Sequence, residues 1–97
     1  KGQHTTRAMN HTGEARLHFR RSISAARLGR CGEALDSFQV GVSYFSDVKA
    51  NLYWGKRARE HGYERAHALT PYDFNEARQL QAEAREALVG SCLRRVG

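Results

Sequence analysis

The chain has 97 residues, enough for one domain with a single modest core. Its hydrophobic content of 40% argues against wholesale disorder, and it lacks the run of about 18 apolar residues that a membrane-spanning helix needs. The formal net charge of +6 lies entirely within residues 1–30, where seven basic side chains outnumber one acid, Glu14. Charge of one sign on one element indicates a polyanionic or acidic partner there.

The chain begins with a basic arm, residues 1–12, which precedes one predicted helical domain, residues 13–97. The first helix is predicted to run from about Glu14 to Leu28. Thr12 is a suitable N-cap residue, and Gly29 is a natural stop just past the last apolar residue.

The two faces of this predicted helix differ in chemistry. An apolar stripe recurs at helical spacing: Ala15, Phe19, Ser22, Ile23 and Ala26. The adjoining face, within about 80°, carries the arginines Arg16, Arg20, Arg27 and Arg30. They are candidate binding residues, because guanidinium groups pair well with phosphate and carboxylate. The alternative is a solvated face whose arginine stems cover the edge of the core.

A tight turn at residues 29–32 leads to a second helix, predicted from about Glu33 to His61. Its apolar stripe recurs at steps of three and four: Ala34, Phe38, Gly41, Phe45, Val48 and Leu52. Gly41 lies on this stripe and predicts a close approach of the first helix. Ser46 and Asp47 could cap a new helix, so a continuous helix and one broken near Ser46 both remain open.

The end of the second helix interleaves aromatic and basic residues in a second candidate binding cluster: Tyr53, Trp54, Lys56 and Arg57. Such mixtures stack on bases and pair with phosphates in nucleic-acid sites. The alternative is that Trp54 packs on the link formed by residues 63–69, with the basic residues solvated.

A third helix is predicted from Pro71 to about Arg94. Thr70 is a good N-cap residue, and proline suits the first helical position. One face of this helix is small and rich in alanine, including Ala77 and Ala84, and should lie close against another helix. The predicted fold is all-α, a small antiparallel three-helix arrangement with a long central helix.

Cys31 and Cys92 are the chain's two cysteines. We expect free, buried thiols in a reducing compartment. A disulfide remains possible because both lie toward the same end of an antiparallel helix pair. Zinc binding by these thiols with His61 and His67 would lack the paired-cysteine spacing of zinc sites, and no catalytic motif is present. We therefore expect no metal, no cofactor and no enzymatic activity.

Residues 29–41 resemble the middle of a tetratricopeptide repeat. The matching positions are Gly29, Cys31, Ala34, Phe38 and Gly41. Residues 62–66 echo this segment near the repeat period of about 34 residues. The sequence departs from the motif at Ala25, where a tyrosine is expected, and at Ser46, where the proline would stand. The resemblance implies a peptide-binding groove.

The expected function is that of a non-catalytic accessory or structural subunit of a larger assembly, inside a cell, an organelle or a virion. Its helical domain would dock on protein, and residues 1–30 would contact an acidic surface or nucleic acid. One alternative is a stand-alone DNA- or RNA-binding domain, favoured by an isoelectric point near 9.9. The other is a tetratricopeptide-like module.

Overall fold

The computed structural model describes residues 3–60 and 71–93, which form three helices and, within those ranges, no strand. The helices are α1 (Gln3–Arg27), α2 (Cys31–Glu60) and α3 (Pro71–Ser91). The predicted all-α class is confirmed. Helix α1 is the central element, since it packs against both other helices whereas α2 and α3 touch each other much less.

The tight turn predicted at residues 29–32 is present between α1 and α2, and it begins with Gly29. Gly29 has a φ of 77°, a left-handed conformation that favours glycine. The backbone N–H of Arg30 donates to the carbonyl of Ala25 at 2.8 Å, and that of Gly29 donates to the carbonyl of Ala26 at 3.0 Å. These two bonds are the Schellman pattern, which satisfies carbonyls left open at a helix end.

The predicted start of the first helix near Glu14 is wrong, because α1 already begins at Gln3. Residues 3–12 of the basic arm therefore belong to the helix. Thr12 is 1% exposed and lies within the helix instead of capping it. Packing against another helix stabilises helical structure that local sequence does not favour, and this part of α1 contacts α2 through His11 and Asp47.

Helix α2 is unbroken at Ser46, and its bounds agree with the prediction to within two residues. Phe45 and Val48, on either side of Ser46, are 3% and 0% exposed, so the apolar stripe continues through this point. Helix α3 starts at the predicted Pro71. It ends at Ser91, three residues before the predicted Arg94.

The larger core cluster is centred on Phe19 of α1, which is fully buried. Its ring packs against Phe38 and Phe45 of α2, with centroids 5.8 and 6.5 Å apart. Gly41 lies directly beneath the ring, since a Cβ atom there would be 2.6 Å from Cε1 of Phe19. The close approach predicted at Gly41 is confirmed.

The smaller core cluster joins all three helices at the end of the bundle that holds the α1–α2 turn: Ala25, Ala26, Ala34, Leu88 and Cys92. The buried Ser22 hydroxyl of α1 donates to the carbonyl of Ala34 in α2 at 2.7 Å. Small side chains let the helices approach closely here. The alanine-rich face of α3 is also buried, with Ala77 and Ala84 both 0% exposed.

The expectation of free thiols is wrong, because Cys31 and Cys92 form a disulfide with their Cα atoms 5.6 Å apart. The bond joins the first residue of α2 to the residue after α3, across 61 positions of sequence. Both cysteines lie at the same end of an antiparallel helix pair, which is the geometry that the predicted alternative, a disulfide, required.

None of the described helices is apolar over a stretch that would cross a bilayer.

We predict that Gly41→Ala destabilises the protein. Alanine gains about 1 kcal/mol of helix propensity over glycine, but forcing a methyl group into a filled core costs about 1–3 kcal/mol. The buried Phe19 ring has little room to move, so we expect a net loss on the order of 1 kcal/mol in the free energy of unfolding, measured in urea. Gly13→Ala in α1 is the control, since a Cβ there meets nothing within 4 Å. The close approach would be refuted by a Gly41→Ala protein as stable as the control.

We predict that reduction of the disulfide lowers stability strongly. Release of a closed loop spanning 61 positions restores entropy to the unfolded chain worth about 4 kcal/mol. The measurement compares urea unfolding of the oxidised and reduced forms of the unaltered chain, so no side chain is changed. Coincident transitions of the two forms would contradict the prediction.

Candidate interaction surface

Arg16, one of the four candidate arginines, links two helices. Its Nη1 donates to Oε1 of Glu76 in α3, and both side chains are only 28% exposed. Nη2 of Arg20 lies 3.6 Å from the other carboxylate oxygen, but its side chain is 56% exposed. A half-buried, hydrogen-bonded pair orients its partners far more firmly than an exposed one does. Arg16 therefore ties α3 to α1, whereas Arg20 remains largely accessible.

Arg27 and Arg30 lie near the α1–α2 turn. Arg27 is exposed in the last turn of α1, where positive charge complements the helix dipole. Arg30 lies beyond the end of α1 and is 3.9 Å from Glu33, with both side chains more than 60% exposed. Such a surface pair contributes little to stability. Arg16, Arg20 and Arg27 lie within about 40° of one another around α1, and the first two lie near Glu76 of α3. Arg30 lies beyond the end of the helix, in the turn.

Exposed leucines accompany these arginines, and sequence reasoning missed them. Leu17 is 42% exposed and Leu28 is 70% exposed. A shallow cavity of about 340 Å³ lies along this side of α1 and extends to the turn. We call this surface the leucine–arginine face and define it by six residues of its lining: Leu17, Arg20, Arg21, Ser24, Leu28 and Arg30. The sequence signal was a second stripe, at positions 17, 21, 24 and 28, spaced by four, three and four.

The second predicted cluster lies on the last turns of α2. Tyr53 is 54% exposed, and Lys56 and Arg57 are exposed as well. The side chain of Trp54 lies outside what the structure describes. The nucleic-acid role of this cluster therefore remains a prediction.

Two histidines of α1 contact one tyrosine of α2. The Tyr44 ring lies 5.1 Å from the His11 ring, edge to face, and 5.7 Å from the His18 ring, stacked on it. Nδ1 of His11 is also hydrogen-bonded to Oδ2 of Asp47. His11 and His18 are seven residues apart and so share one face of α1. This spacing is visible in the sequence, but it predicted no shared helical face because His11 was assigned to the basic arm, residues 1–12, outside the first predicted helix.

An open groove of about 670 Å³ lies beside His11, Tyr44 and Asp47. The Asp47 carboxylate fixes the orientation of the His11 ring. In many enzymes a histidine oriented in this way acts as the base that activates a nucleophile. The hydrogen bond described for His11 runs to Asp47, and the cluster as a whole joins the N-terminal half of α1 to α2. Its contacts explain why α1 extends beyond the predicted start.

Within residues 3–60 and 71–93, no three His, Cys, Asp or Glu side chains are grouped so that they could hold a metal ion. The disulfide removes the thiolates of Cys31 and Cys92 from the zinc alternative. His61 and His67, its other two ligands, lie outside the described residues.

In comparisons with known proteins, no family model, curated protein or solved structure matches the chain. Helix α2 also runs unbroken past Ser46, where the proline of a tetratricopeptide repeat would stand. The one repeat boundary that falls within the described residues is therefore absent, and the echo at residues 62–66 lies outside them.

We predict that Glu76→Gln destabilises the protein by about 1.5–3 kcal/mol, the usual value of a hydrogen bond to a charged group. The change leaves the half-buried Arg16 without its carboxylate, and the deficit should shrink at high salt because screening weakens the native pair. Urea unfolding at low and high salt measures both effects. Glu83→Gln, at an exposed position of α3, is the charge-matched control. Equal stabilities of the two variants would contradict a structural role for the pair.

Proposed function

We propose that this protein is a non-catalytic accessory subunit of a larger assembly and binds its partners through exposed parts of α1 and the turn after it. The observation that carries the proposal is the division of α1 into two sides. One side holds Phe19 and Arg16, which bind the other helices. The opposite side exposes leucines among arginines, although burial of such leucines in the core would stabilise the fold.

Charge supports the same proposal. The net charge of +6 belongs to residues 1–30, and Arg20, Arg21, Arg27 and Arg30 are all exposed. The partner surface is therefore acidic. Arginine is one of the residue types that dominate the binding energy of protein interfaces.

The disulfide bears on where such an assembly works. Disulfides persist in oxidising surroundings and are rare where thiols are kept reduced. The bond between Cys31 and Cys92 therefore favours a virion or an oxidising organelle over a reducing cytosol.

A second candidate function is binding of DNA or RNA. It is favoured by the exposed Tyr53 beside Lys56 and Arg57, an aromatic–basic mixture suited to bases and phosphates. Binding to phosphates weakens log-linearly with salt, by nearly one unit of slope for each contact.

The two functions separate in an affinity capture of the tagged, oxidised chain from its native host, with and without nuclease. The proposed function predicts a defined set of proteins that survives nuclease. That set should be depleted for Arg21→Gln/Arg30→Gln and retained for Arg78→Gln/Arg85→Gln, which removes the same charge from exposed positions of α3. A capture emptied by nuclease would overturn the proposal and support the nucleic-acid function.

A further inference from the structure

The leucine–arginine face combines two chemistries along α1 and the turn that follows it. Leu17 and Leu28 are eleven residues apart, which places them about 16 Å apart along the axis of α1. Arg21 and the 56% exposed Arg20, which is 3.6 Å from Glu76, lie between them in sequence, and Arg30 follows Leu28 in the turn. Glu33 borders the cavity as its one acid, and it lies within 3.9 Å of Arg30. The face is therefore apolar at two points and positive between and beyond them.

We propose that the leucine–arginine face binds an acidic, amphipathic helical segment of a partner protein. The inference rests on the proposed function and names the class of partner. A helix laid along α1 would place its own apolar side chains on Leu17 and Leu28 and its carboxylates on the intervening arginines. Helices commonly bind in this way, with anchors at helical spacing in a shallow groove.

Charge complementarity selects this occupant over a second copy of the chain. Two leucine–arginine faces brought together would set one positively charged surface against another, with Arg20, Arg21 and Arg30 on both sides. Like charges at an interface cost several kcal/mol and reject such a pairing. An acidic segment meets the same arginines as ion pairs, which Arg can make bidentately.

The leucines select against a nucleic acid at this face. A phosphate backbone would pair with the arginines but would leave Leu17 and Leu28 against charged oxygens. Sites for single strands use aromatic side chains, on which bases stack, and the residues that line this cavity include none. The leucines also select against a bilayer surface, since helices that lie on membranes present a broad apolar face and this one presents two separated leucines.

The test uses the full oxidised chain and a synthetic helical peptide of about five turns. The peptide carries leucine along one stripe, spaced to meet Leu17 and Leu28, with glutamate on both sides of the stripe. A scrambled peptide of the same composition keeps the charge and removes the stripe. Fluorescence anisotropy gives the Kd for each, and a DNA duplex serves as the polyanion probe.

We expect the amphipathic peptide to bind at least about tenfold more tightly than the scrambled one. Leu17→Gln/Leu28→Gln should weaken its binding by about tenfold or more and leave DNA binding unchanged. Leu35→Gln is the matched control, because Leu35 is a 45% exposed leucine of α2 that does not line the cavity. Circular dichroism confirms that the variants are folded, as these exposed positions permit.

Equal binding of the two peptides, an unchanged Kd in the leucine variant, or no binding of the amphipathic peptide would overturn the inference. These outcomes are distinct from failure of the proposed function. If the peptide fails but a nuclease-resistant set of proteins is still captured, the subunit role stands with a different mode of contact. If nuclease empties the capture, the subunit role falls whatever the peptide does.

Discussion

The packing of the Phe19 ring on Gly41 is the constraint on which the rest of the structure depends. A side chain at position 41 would begin 2.6 Å from the ring, so α1 and α2 can approach this closely only at a glycine. The contact fixes the rotation of α1 about its own axis. Leu17 and Leu28 then lie about 160° and 180° around the helix from Phe19, at 100° per residue, and must face outward. The outer surface of the molecule is thus set by a contact in its core.

Helix α3 is held mainly by contacts with α1, together with the disulfide to the start of α2. Ala77 and Ala84 bring it close to the bundle, and Glu76 accepts the guanidinium of Arg16. At the opposite end the bond between Cys31 and Cys92 prevents α3 from separating from the turn. A chain of this size buries a small core, and a disulfide that closes a long loop offsets part of that deficit.

The sequence predicted those features that local chemistry determines. Gly29 ends α1, Pro71 begins α3, and the apolar stripe of α2 passes through Ser46. It did not predict the start of α1 at Gln3, because the contacts around His11 come from residues more than thirty positions away. Periodicity within a segment cannot show such contacts.

The candidate site was predicted only in part, for a similar reason. Sequence spacing placed Arg16 and Arg20 on one side of a helix. Only the packing of α3 against α1 shows that Arg16 forms an ion pair with Glu76. Leu17 and Leu28 lie outside the apolar stripe predicted for the first helix, and no role was predicted for either. The structure shows that the core is filled by the stripe centred on Phe19, which leaves both leucines exposed.

The central claim is that α1 divides its arginines between holding the fold and binding a partner. The most direct measurement compares Arg16→Gln with Arg21→Gln, since each removes one positive charge from the same helix. We expect Arg16→Gln to lower the free energy of unfolding. Under conditions in which this variant is still folded, it should retain the nuclease-resistant partner proteins. Arg21→Gln should keep its stability and lose those partners. Equal stability and equal capture for the two variants would contradict the division.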